Sequence, residues 1–291
     1  MRELHYIQLG ATLFLPANHK NLPLILQRQK YQELKSVVID FEDALEEDSR
    51  AKAFANFAKI LKHYKQTSLL VFVRPYDAEM LASLLNLEGI QQCDGFIFAK
   101  FGLHNAKSYL SLVENQPFYI MPSIEGKELF SAPSLEKLSQ LLLTSKTNIL
   151  LVRFGLEDML RALGMQRGCD KSVFDYSVTS YVLGQFLAVF KGAGFGVSGG
   201  VFPCFSESQK LHQDVMRDLQ EGLFTKTVIH PSQIDVVHQA YKVTRQEYEN
   251  ALEILQTNKA ILNQNNTMAE RTTRTPYAQQ IVLRAKEYGV K

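Results

Sequence analysis

The chain is short of long apolar runs. Nothing in its 291 residues approaches the ~20 consecutive apolar positions of a membrane-spanning helix, so no membrane partner is expected. It has little surplus charge of either sign. Lys and Arg number 32 against 30 Asp and Glu, and a formal net charge of +2 gives no reason to expect nucleic acid or another polyanion. Cysteine is scarce. Cys93, Cys169 and Cys204 are odd in number, widely spaced and form no C-x-x-C pair, so neither a disulfide nor a zinc site is expected. No repeat, low-complexity tract or Pro/Gly/Ser linker interrupts the chain before its C-terminal third, and the opening Met1-Arg2-Glu3-Leu4-His5 lacks the apolar core of a secretion signal. With 46% hydrophobic and 21% charged residues, the composition is that of an ordinary globular protein, and a cytoplasmic enzyme with a small-molecule substrate is the expectation.

What the chain does have is alternation. Short β-branched or aromatic-rich runs fall at 12–15, 37–39, 69–73, 96–98, 118–121, 149–152, 195–201 and 227–229, with helical stretches such as 50–64, 79–87, 135–143 and 173–190 between most of them. Near-continuously apolar strands alternating with helices indicate parallel βαβ units. Eight of them in sequence predict an α/β fold, a (β/α)8 TIM barrel, for residues 1–241. The run at 195–201 is the weakest strand, because glycines interrupt it. Beyond it, Pro231 opens a helix, Thr244-Arg245-Gln246-Glu247 has the form of a capping box for a helix reaching Ile261, 263–275 reads as a mobile polar loop, and 276–289 as a last amphipathic helix. Residues 242–291 are thus expected as a C-terminal helical extension docked on the barrel or on a neighbouring subunit.

Barrel sites are built where strands end. Run two ends in Asp40-Phe41-Glu42-Asp43, run three in Arg74, run four in Lys100, run five in Pro122-Ser123-Ile124-Glu125, run six in Arg153 and then Asp158, and run eight in His230-Pro231. If the strands are parallel and close on themselves, these groups meet on one rim. Glu125 and Asp158 end adjacent strands, so their carboxylates can share a cation; two acids with water filling the remaining positions suit Mg²⁺, with Mn²⁺ in its place. Such an ion can chelate a 2-oxo acid and stabilise the enolate formed when a neighbouring C–C bond breaks. Arg74 is suited to a bidentate grip on substrate oxygens, and Asp40, Glu42 and Asp43 to supplying or orienting a base. Arg74, Glu125, Lys100 and Arg153 are therefore expected against the substrate, Arg74, Glu42, Asp43 and Asp40 in catalysis, and Glu125 and Asp158 on the metal.

The same residues carry a resemblance. Thr12–Pro16 resembles the opening strand of the citrate lyase β-subunit-like branch of the HpcH/HpaI aldolase superfamily, and Val38–Ala44 is similar to its Leu-Asp-Leu-Glu-Asp-Ala motif. Val73-Arg74 resembles its Val-Arg-Val-Asn, Phe98-Ala99-Lys100 its Leu-Pro-Lys, Pro122–Glu125 its Pro-x-Ile-Glu-Thr, Phe154–Asp158 its Gly-x-x-Asp, and Val228–Ile234 its Trp-x-Ile-His-Pro-Ser-Gln-Ile. The resemblance runs in order through residues 10–241 at one motif per strand. It implies a Mg²⁺-dependent carbon–carbon lyase on a TIM barrel, usually acting on acyl-CoA esters and usually a trimer or hexamer, with Glu125 and Asp158 as metal ligands and Arg74 on the substrate. The chain departs from the pattern at four places. Gly10 stands where an arginine often precedes the first strand, Pro75 follows Arg74 in place of the Val-Asn, Gly199-Gly200-Val201 replaces Asp-Gly-Val, and Arg271–Pro276 replaces a glycine-plus-Asp-Pro lid used by acyl-CoA members. Two alternatives stay open beside the CoA-ester lyase. One is a CoA-independent aldolase using free pyruvate, and the other is a barrel without turnover that binds a carboxylate or a protein partner.

Some patterns are set aside. Gly194–Gly199 satisfies G-x-G-x-x-G, yet Gly200 and Pro203 deny it the helix a dinucleotide site needs, and a close approach of backbone to ligand is the expected use. Lys100 is read as an ion pair or substrate anchor rather than a Schiff base. His63, His104, His212 and His238 read as surface groups, and His230 as either a proton-transfer group or a helix cap.

Overall fold

The computed structural model describes residues 2–264 and 266–291. Its strands are β1 (Ala11–Pro16), β2 (Ser36–Asp40), β3 (Leu70–Arg74), β4 (Gly95–Phe98), β5 (Tyr119–Ile124), β6 (Asn148–Ile149), β7 (Arg153–Phe154), β8 (Lys226–Val228), β9 (Ile261–Gln264) and β10 (Thr267–Glu270). The first eight form one parallel sheet in the order β6-β5-β4-β3-β2-β1-β8, with β7 also paired to β5. Helices on the outside, among them Arg50–His63, Ala78–Leu85, Ala106–Val113, Ala132–Thr144, Ser177–Gly192 and Ser208–Gln220, connect successive staves. The expected sixth strand is split into β6 and β7. The expected seventh contributes only single parallel bridges, Val152 to Val197 and Gly199 to Lys226, and these join the two ends of the sheet. A glycine-rich stave has few side chains to pack and the largest backbone entropy to lose, so its pairing is minimal.

Period-2 alternation decides what faces the barrel axis. Leu13, Leu15, Val37, Ile39, Val71, Val73, Phe96, Phe98, Ile120 and Ile124 point outward into the core shared with the helices. Val38, Phe72, Ile97, Met121 and Leu151 point inward and pack with Leu9, Phe14 and Tyr119. Asp40 lies two residues beyond Val38 and Arg74 two beyond Phe72, so the same alternation sends both inward, and the β2–β3 register makes them direct partners. Ser123 and Arg153 are likewise partners across β5 and β7.

The C-terminal fifty residues build their own small core of Val243, Ala251, Ile254, Ala269, Ala278, Ile281 and Ala285. Thr244 and Glu247 form the expected reciprocal cap of the helix Arg245–Gln256. Two details differ from expectation. That helix stops at Gln256, and much of the stretch read as a loop pairs as the antiparallel ladder β9–β10, followed at once by the helix Arg271–Tyr288. The last helix reaches the barrel at the start of β1: Tyr288 donates its hydroxyl to the Ile7 carbonyl, and Gln8 bonds Glu287 at 3.3 Å. The extension therefore lies at the amino-terminal end of the strands, away from the rim that carries the acids.

Two sequence expectations are corrected. Cys169 and Cys204, 35 residues apart, are joined as a disulfide with Cα atoms 5.9 Å apart, while Cys93 is free and buried. Barrel closure lays the loop after the helix Leu156–Ala162 against the loop after the seventh stave, a proximity that cysteine spacing does not encode. His238 is not a surface group. Its Nε2 accepts the Ala11 N–H at 3.2 Å, and burial, with Lys35 nearby, lowers its pKa from 6.5 to about 4.

Candidate active site

The carboxyl-terminal ends of β2 to β5 and β7 carry a charged network. Arg74 grips Asp40 with two parallel bonds, Nε to Oδ1 at 2.7 Å and Nη2 to Oδ2 at 2.6 Å, and its Nη1 lies 3.0 Å from Glu42 Oε2. Asp40 and Glu42 are each 1% exposed. Asp40 also accepts the Glu42 N–H at 2.9 Å, which turns the chain back over the barrel mouth. Lys100 pairs with Glu42 and lies 3.3 Å from the exposed Asp43, which Arg74 approaches at 3.8 Å. Burial pushes the Glu42 carboxyl up; Arg74 and Lys100 pull against that, hydrogen bonding with Asp43 reinforces it, and the net is upward. Lys100 has φ 49°, a left-handed conformation uncommon for a side chain this long, and that turn points its N–H at Glu125 Oε2, 3.2 Å away.

Glu125 follows β5 directly and is 8% exposed. Burial raises its carboxyl to about 7; a bond from Ser123 opposes the shift, the Asp158 charge adds to it, Arg74 opposes it and Glu42 adds to it. Asp158 sits in the first turn of the helix Leu156–Ala162, whose partly positive end faces the rim. Its carboxylate pairs with Arg161 on the same helix, and the Arg161 side chain is exposed. Gly155 lets the two acids approach. A Cβ there would lie 2.2 Å from Glu125 Cγ, so no larger residue fits between β5 and that helix. Glu157, beside Asp158, points outward and is exposed.

Arg153 lies inside the barrel. It donates to Thr227 Oγ1, stacks on one side of the Phe14 ring at 5.1 Å, and has Arg74 over the same ring at 5.3 Å. Its Nη1 has no partner. Burial and the charge of Arg74 lower its pKa to about 10, against the pull of Glu125.

Asp40, Glu42, Asp43, Arg74, Lys100, Glu125 and Asp158 lie at one rim, with Arg153 just inside it. His230 reaches it only at the edge, exposed, stacked on Phe205 and bonded through Nδ1 to Ser232 at 2.8 Å. Phe14 and Thr227 were not singled out, and Ser123 was named only as part of a strand end. Their inward parity on β1, β5 and β8 was readable, but uncharged residues carry no chemical flag. The G-x-G-x-x-G stretch takes another use than expected. A Cβ on Gly199 would lie 2.4 Å from Asp218 Oδ2, so the close approach there is to a buried side chain of the protein itself.

Among the described residues no group of three or more His, Cys, Asp or Glu is placed to hold a metal. Glu125 and Asp158 still form a hard oxygen donor pair, with Gly155 leaving the helix that carries Asp158 packed against the Glu125 side chain. The donor set therefore fits a Mg²⁺-class ion with water or substrate in its remaining positions, and does not fit a closed zinc site.

A family model described as a C–C bond lyase of the TIM-barrel fold matches residues 3–290. No curated protein matches the chain. Among solved structures, the chain is similar to a citrate lyase from Burkholderia xenovorans LB400 (TM-score 0.75, 16% identity, 97% of this chain and 93% of that one). It is also similar to CitE from Mycobacterium tuberculosis in complex with magnesium, acetoacetate and coenzyme A (TM-score 0.67, 18% identity, 96% and 98%). The citrate lyase β subunit from the same organism, complexed with oxaloacetate and magnesium, matches with a TM-score of 0.59 at 19% identity over 82% of this chain and 99% of that one.

Proposed function

The chain belongs to the C–C bond lyases of the TIM-barrel fold, and from that premise we propose that it cleaves, or in reverse forms, a carbon–carbon bond next to a carbonyl in a Mg²⁺-dependent reaction. The substrate is a 2-oxo acid or an acyl-CoA or hydroxy-acid ester. Residues 1–241 are the lyase barrel and 242–291 an extension docked beneath it. One observation carries the reading: Glu125 and Asp158, 33 positions apart in the sequence, are brought to one rim by Gly155, whose missing side chain lets the helix bearing Asp158 pack against Glu125.

Glu125 and Asp158 would hold the cation, which when bound would supply Lewis acidity at the substrate's carbonyl oxygen. The protein's own groups do the rest. Asp40 fixes the Arg74 guanidinium through two bonds, so Arg74 presents its charge to the rim without swinging. Lys100 and Arg153 add positive charge for an anionic substrate. Glu42 accepts the Asp43 N–H, and the buried Glu42 with the exposed Asp43 beside it could move a proton between substrate and water. Phe130, Val178 and Tyr181 are exposed apolar side chains that a subunit contact would cover, in keeping with a homo-oligomer, a trimer or hexamer. No helix among the described residues is long and apolar enough to cross a membrane.

The test is exchange of α-protons into deuterated water, followed by NMR. Pyruvate methyl protons or the acyl protons of acetyl-CoA should exchange with Mg²⁺ present and stop exchanging after chelation. Exchange of pyruvate alone selects the CoA-independent aldolase. Absence of exchange in both, with tight carboxylate binding, selects a barrel that only binds.

A further inference from the structure

The rim holds two arginines, and they differ in what is left to bind with. Arg74 has every nitrogen committed: Nε and Nη2 to Asp40, Nη1 to Glu42. Both acceptors are buried and cannot be displaced without stranding a carboxylate. Arg153 is 4% exposed and, among the described residues, takes part in no ion pair; Thr227 satisfies one end of the guanidinium and Nη1 is left over. A buried cation with a free donor and no acid within pairing distance is costly by itself. The Phe14 ring face eases that cost without neutralising the charge.

We propose that Arg153 Nη1 is the seat of a free carboxylate on the substrate, and that the enolate-forming substrate is a short 2-oxo acid rather than an acyl-CoA thioester. The inference rests on the lyase reading above and narrows it. Arg153 is level with Ser123, two residues below Glu125 on the neighbouring strand, which is roughly 7 Å of strand rise. A short 2-oxo acid, or oxalate as its mimic, held at one end near Glu125 and Asp158 would direct a carboxylate down the barrel towards Arg153. A thioester placed there would set a neutral group against an unpaired guanidinium. Arg74 then acts as a positioning residue, holding Asp40 and Glu42 in place and sharing the Phe14 ring with Arg153.

The test is calorimetric titration of oxalate, with Mg²⁺ present, into wild type, Arg153→Gln and Arg153→Lys, alongside Mn²⁺ binding read by electron paramagnetic resonance without oxalate. Arg153→Gln should weaken oxalate at least about 30-fold, and Arg153→Lys by less, because the charge survives without the fork. Mn²⁺ binding should be as in wild type. Oxalate affinity unchanged in Arg153→Gln overturns the proposal. If that variant does not fold, wild type decides: stabilisation against heat by pyruvate and oxalate but not by methyl pyruvate or acetyl-CoA supports it, and equal stabilisation by all four overturns it. Failure of the lyase reading looks different. Wild type would then neither bind Mn²⁺ nor exchange pyruvate protons, while the Arg153 effect on oxalate persisted.

Discussion

Two charged clusters lie on either side of the barrel wall, and they are finished differently. Behind β8, Lys226 bonds Asp214 at 2.8 Å and Asp218 at 2.5 Å, and Arg167 reaches Asp214 at 3.2 Å. All four are buried against the helix Ser208–Gln220, two cations to two acids. At the rim, Asp40 and Glu42 are equally buried and closed on Arg74, but beside them, among the described residues, Glu125 and Arg153 take part in no ion pair. A cluster that only fastens a helix to a strand has no reason to leave charge uncompensated, since each such charge weakens the fold. A cluster that must receive ligands has to leave some. The contrast between neutralised and unfinished charge separates scaffold from site more sharply than burial does.

The strongest way to break this contrast is at the unfinished end. Glu125→Gln or Asp158→Asn should lower Mg²⁺-dependent proton exchange on the order of 10³-fold while leaving thermal unfolding near wild type. Retained exchange in either variant would remove that residue from the metal site. At the finished end the effects invert. Lys226→Met strands Asp218 in a buried position, and the loss should be about 3–5 kcal/mol in denaturant unfolding, with exchange per folded molecule unaffected. Next, Arg74→Lys keeps the charge but loses the double bond to Asp40, and exchange should fall about 10²-fold from misplacement alone, checked as a change in rate at saturating pyruvate. A further effect belongs to neither cluster. His238 is held neutral, with a folded pKa of about 4 against 6.5 unfolded, so its contribution is complete above pH 6.5 and lost as pH falls towards 4. That amounts to roughly 3 kcal/mol at most. Unfolding midpoints measured across this window should slope in wild type and flatten in His238→Gln, which retains an acceptor for the Ala11 N–H.

Much of this was legible from local pattern. Parallel strands ended where apolar runs ended, and Thr244 and Glu247 announced their helix by a bond that spans three residues. Asp40, Arg74, Glu125 and Asp158 stood out because charge at the end of a buried strand needs a reason. What stayed hidden was long-range. The Cys169–Cys204 bond depends on two loops meeting. His238 is half-buried because β1 begins beneath it, and Lys226, at the start of β8, faces outward into Asp214 and Asp218 while its neighbour Thr227 faces in towards Arg153.

The sequence by itself determined the period of every strand and so which residues face the axis, because inward and outward alternation is a property of each backbone segment alone. Only the tertiary structure decided which charges cancel and which are left open. Coulomb partners are set by distances across a closed ring, and no spacing along the chain records them.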